Sequence, residues 1–192
     1  MLLDTTARWL LVLHTVLGVA AVGASTHLVL WTRRYLRGQY GKRRAVRRFT
    51  WIVLALQLAA FVAGNVMYPT YKVEVRAAYL ENQTAVSNQA AAQNKELSRI
   101  AEREGGQASQ APATRELVKR AAEAARWFDI KEHWIALGLL ASFALLLIFS
   151  RWDPQTDGMT IAPIVSMLTW LTAGTIWFGA IVGLLTASWR AV

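Results

Sequence analysis

The chain has no cysteine. That excludes disulfides, thiolate-held iron–sulfur clusters and thioether attachment of a c-type haem. It has only three histidines among 192 residues, with no HExxH pair and no two histidines one helical turn apart, so a catalytic zinc site has no ligand set. No nucleotide-binding glycine loop and no internal repeat is present. No Asp, Glu, Lys or Arg falls near the middle of any long apolar run, which argues against a pump or a voltage sensor. Acidic residues are missing from one stretch above all: Arg33, Arg34, Arg37, Lys42, Arg43, Arg44, Arg47 and Arg48 follow one another without a single carboxylate between them.

The chain does have long apolar blocks, Trp9 to Trp31, Trp51 to Met67, Phe128 to Phe149 and Ile161 to Thr186. Each reaches the roughly 17–25 residues a helix needs to cross a hydrocarbon core of about 30 Å. The runs are continuous rather than alternating, which selects helices over barrel strands. The predicted fold is all-α: an integral membrane four-helix bundle with an extramembrane helical hairpin between the second and third spans. Residues 1–71 would supply two spans and the basic loop, 72–126 the hairpin, and 127–192 the last two spans.

The net charge of +9 is explained by that basic loop and gives no reason to invoke nucleic acid. A short Lys/Arg-rich connection marks the cytoplasmic side, and anionic lipid is its expected partner. The expectation is a bacterial inner membrane protein with both termini and the hairpin on the periplasmic side. The first span runs directly into Thr32-Arg33-Arg34 and is read as retained rather than as a cleaved signal. Trp9, Trp31, Trp51, Trp127 and Trp152 mark headgroup depth. Pro69 is expected to end or bend the second helix. A single helix from about Lys72 to Glu104 forms the first hairpin arm. The second starts near Thr114 and runs without a break into the third span. Gly179 and Gly183 permit a close helix contact, within the chain or in a homodimer.

Buried imidazoles need a partner or a role. His14 lies five residues inward of Trp9 and His133 six residues inward of Trp127, roughly 8–9 Å below their marker rings at 1.5 Å per residue. Level with each other on diagonal helices, they are the candidate axial ligands of one haem b, with Gly18 making room for the ring. Tyr68, Lys72, Arg76 and Lys131 cluster in sequence near that depth, where cations would meet the propionates. His27 is 13 residues beyond His14, rotated by about 140°, and is assigned a structural role. Gln57, Asn65, Ser166, Thr169, Thr172 and Thr175 are expected to hydrogen-bond between helices.

The phrase Leu13-His14-Thr15 with Gly18, Gly23 and His27 resembles the opening helix of small four-helix membrane b-type cytochromes. The resemblance covers that one helix. It implies a haem b carrier exchanging electrons with a quinone or an outer-face redox partner. Those families commonly hold two haems on four or more histidines, and this chain has three. The alternative expectation is a cofactor-free accessory or scaffold subunit that docks a larger membrane complex through its hairpin.

Overall fold

A computed structural model describes residues 5–105 and 114–188, and within them every regular element is helical. The elements are α1 (Thr5–Leu36), a 3₁₀ turn (Tyr40–Lys42), α2 (Arg43–Thr70), a π-helical continuation (Tyr71–Leu80), α3 (Gln83–Glu104), α4 (Thr114–Arg151), the short α5 (Pro154–Asp157) and α6 (Ala162–Ser188). Four stretches, Thr6–Leu36, Tyr40–Leu80, Arg115–Arg151 and Ala162–Thr186, are long and apolar enough to cross a membrane. The chain divides into two compact units, one drawing on Met1–Met67 and Ile130–Leu184, the other on Tyr68–Asp129 and Leu185–Val192.

In the first unit the core gathers at the end that carries the loop between α1 and α2. Leu28, Tyr35, Val46, Val53, Leu145, Phe149 and Val165 are all but inaccessible there. Tyr35 sits edge-on to Tyr40 and Phe149. Its hydroxyl donates to Asp153 Oδ1 at 3.3 Å, and the other Asp153 oxygen takes Arg43 at 2.7 Å. Asp153 also caps α5 by accepting from the Gln155 N–H. One carboxylate thus fastens α1, α2 and the connection into α6. Trp152 was expected at headgroup depth but is only 8% exposed. It belongs to the core, and its Nε1–H donates to the Gly158 carbonyl. A tryptophan N–H satisfied by a local carbonyl has no need of the polar interface. Further from this end the core thins, and beyond Ala21 and Ile176 the buried apolar side chains among the described residues of this unit are Ala63 and Val182.

The second unit has its own small apolar cluster, Leu80, Val86, Ala121 and Ala125, flanked by Val75, Tyr79, Leu117 and Val118. Pro69 is the next-to-last residue of α2, which ends at Thr70. The chain then widens into the π-helix, whose end is marked by the Glu81 N–H bonding five residues back to the Arg76 carbonyl at 2.8 Å. A proline removes one donor, and a locally widened register lets later donors reach other carbonyls. The first arm is therefore not one helix. It breaks at Asn82, whose side chain caps α3 by accepting from the Ala85 N–H, a role Asn favours. Gly105, with φ +66°, closes α3 in the left-handed conformation that suits glycine. The expected tip over 106–113 lies outside the described residues. α4 begins at Thr114 and runs unbroken to Arg151.

Removing the shared carboxylate tests the fastening. Asp153→Ala should lower the stability of the detergent-solubilised protein by about 1–2 kcal/mol, because Arg43 and Tyr35 both lose an acceptor at a partly exposed site. Asp153→Asn retains the cap and the acceptor for Tyr35 and should cost less. Thermal unfolding midpoints of the two variants measure the difference, and equal midpoints with wild type would remove Asp153 from this role.

Candidate functional site

Two groups of polar side chains inside the first unit bear on a candidate site. At mid-height Gln57 of α2 is 3% exposed. Its Oε1 accepts from Ser142 Oγ at 2.7 Å, and its Nε2 donates to the Ile135 carbonyl at 3.4 Å. Ser142 also reaches the Gly138 carbonyl. Gly138 is required by this packing: a Cβ there would stand 2.1 Å from Thr175 Oγ1 and 2.7 Å from Gln57 Nε2. Gln57 bonds between helices as expected. Asn65, Thr169 and Thr175 instead turn back to carbonyls of their own helices. That satisfies the hydroxyl or amide without a partner helix.

Higher up, towards the N-terminus of α1, lies His14. Its ring is half-buried against α2, with Nδ1 2.8 Å from the Ala60 carbonyl. A carbonyl can only accept, so Nδ1 carries the proton and Nε2 keeps its lone pair in the neutral ring. Gly64 makes this approach possible, since a Cβ there would lie 3.3 Å from His14 Cε1. A Cβ added at Gly18, one turn along α1, meets nothing within 4 Å. From α4, Lys131 comes within electrostatic reach of the His14 ring. Its aliphatic stem passes Gly179 of α6, where an added Cβ would lie 4.0 Å from Lys131 Cγ and 2.5 Å from Ile135 Cδ1. Gly179 is thus accounted for by packing within the chain, without a second copy. Residues of α1, α2, α4 and α6 converge at this height.

His133 lies two residues from Lys131 on the same helix. It is exposed on α4, about 200° around the helix from Lys131 and about 140° from Gly138. Matching depths fixed the height of His133 but not its direction, and at the level of His14 it is Lys131 that α4 turns inward. His27 is accommodated locally: Nδ1 lies 2.9 Å from the Gly23 carbonyl of its own helix, and the ring stacks on Phe49.

Tyr68, Lys72 and Arg76 belong to the second unit. Arg76 holds Glu81 at 2.6 Å through Nε and Asp129 at 2.7 Å through Nη1, so its charge is already engaged. Tyr71 stacks on Phe128 with centroids 3.9 Å apart, and Tyr68 leans on Tyr71. Lys72 is exposed. Among the described residues, no group of three or more His, Asp or Glu side chains is placed to hold a metal ion. No family model, curated protein or solved structure matches the chain.

Gly138→Ala should destabilise the protein by about 1–3 kcal/mol, the usual range for forcing an added methyl into a packed interior. Gly18→Ala, facing open space, should leave the unfolding midpoint within about 0.5 kcal/mol of wild type. The same detergent melt reads both. Equal effects would show that the space around Gly138, between Gln57 and Thr175, is not tightly packed.

Proposed function

We propose that the chain is a small integral membrane electron carrier of the b-type cytochrome class, with one haem held through His14. The observation that carries this reading is the His14–Ala60 hydrogen bond. A metal-binding imidazole commonly donates its other N–H to a carbonyl, which fixes tautomer and ring direction. Here that arrangement leaves Nε2 as the available donor atom. The open space beside Gly18 suits a flat macrocycle. Lys131, within electrostatic reach of His14, would supply a cation for a propionate. When bound, haem supplies a reversible one-electron iron centre. Ala60, Gly64 and Lys131 would orient the ring, and a quinone or a redox protein would exchange the electron. His133 does not fit as the opposing ligand within one copy, because it projects from the exposed face of α4. The proposed haem therefore has a single protein imidazole. On this reading the basic loop lies on the cytoplasmic side of a bacterial inner membrane, and the two arms of the second unit form a hairpin outside.

The second unit favours another reading, a cofactor-free scaffold subunit. Its apolar cluster and the double ion pair of Arg76 order a largely polar helical module, and such a module suits docking better than electron transfer. The visible spectrum of the full chain, purified after haem-supplemented expression, separates the two. The carrier reading expects a Soret band that shifts on reduction, is lost in His14→Ala and persists in His133→Ala. A colourless wild-type protein would leave the scaffold reading standing. A low-spin spectrum lost in both variants would restore the bis-histidine pair.

A further inference from the structure

The N-terminal turns of α2 carry a charge pattern that neither reading uses. Arg44, Arg47, Arg48 and Trp51 stand at i, i+3, i+4 and i+7 on α2, within an arc of about 100°. All four are exposed, and the Trp51 ring is 59% accessible. Together with Arg43 they line a groove of about 570 Å³. Arg43 is fastened to Asp153 but keeps a buried Nε–H without an acceptor. No ion pair involves Arg44, Arg47 or Arg48 among the described residues. Elsewhere in the loop the cations are engaged differently: Arg34 and Lys42 lie over the Trp31 ring at 5.3 and 5.1 Å.

We infer that this groove is a discrete site for the headgroup of one anionic glycerophospholipid. Guanidinium forks match phosphate oxygens. The indole one to two turns along α2 is the side chain that favours the boundary between headgroup and acyl chain. A groove that offers cations at one end and an apolar ring at the other is complementary to a phosphodiester attached to a lipid, whereas a free phosphate would use only the cationic end. This inference is independent of the haem reading.

Native mass spectrometry of the full chain in detergent, with phosphatidylglycerol, phosphatidylcholine or inorganic phosphate added, tests it. One phosphatidylglycerol should be retained per chain and phosphatidylcholine should not. Arg44→Gln/Arg47→Gln/Arg48→Gln should weaken retention by about fivefold per charge removed. Arg33→Gln/Arg34→Gln/Arg37→Gln removes the same charge from the same loop and should retain the lipid within about twofold. Should the first triple variant not be recovered folded, Arg47→Gln alone carries the test, with an expected loss of about fivefold. Equal losses in the two triple variants, or no loss in Arg47→Gln, would reduce the groove to diffuse surface charge. Equal retention of phosphatidylcholine, or displacement of the lipid by millimolar phosphate, would overturn the assignment.

Discussion

Leu184, Leu140, Val19 and Trp170 each expose between 60 and 73% of their surface, and this outward apolar skin is the constraint on which everything else rests. It is consistent with a hydrocarbon environment around four helices long and apolar enough to cross a membrane. In such an environment no water completes a hydrogen bond, so each polar atom must find its partner in the protein. The consequences are visible along the chain. Thr50, Thr169 and Thr175 turn their hydroxyls back onto their own helices, and Gln57 spends both ends of its amide on α4. Pro69 is followed by a rewound helix rather than an open loop.

The same constraint decides what the sequence discloses. Span positions are legible because length and apolarity suffice to find them. The start of α4 at Thr114 and its unbroken run to Arg151 are legible because no breaker intervenes. Facing direction is not. A helix in water writes its orientation as an apolar stripe against a polar one, but a lipid-facing side is as apolar as the packed side. The residues around Lys131 and His133 therefore gave a height and no angle. The seam on α4 emerges only from contacts, with Gly138 under Thr175 and Ile135 against Gly179. The break at Asn82 was open to reading, since Asn before a helix-forming run is a capping signal. It was masked by the helix-favouring composition on both sides. Trp152 packs into the core, with its indole N–H on the Gly158 carbonyl, a partner that the spacing of aromatics does not disclose.

The two ends of the first unit differ in how they are held. Near the basic loop, large side chains interlock around Tyr35, and one carboxylate serves two partners and a cap. Around His14 the contacts are glycine-backed and polar, with one imidazole fixed by a carbonyl and one lysine stem laid along Gly179. The two ends are thus held by different kinds of contact, interlocked large side chains at one and glycine-backed polar contacts at the other.

α4 contributes Ala121 and Ala125 to one cluster and Leu145 and Phe149 to another, along a single uninterrupted helix. Within the first unit, Lys131, Ile135, Gly138 and Ser142 of that helix meet α2 or α6, which makes the residue count between them a mechanical dimension. One residue inserted or deleted between Lys131 and Gly138 would turn the two apart by about 100°, swinging Lys131 out of the interior or Gly138 away from Thr175. Only changes of three or four residues come close to preserving phase. The interval between Lys131 and Gly138 should therefore drift in composition far more freely than in length.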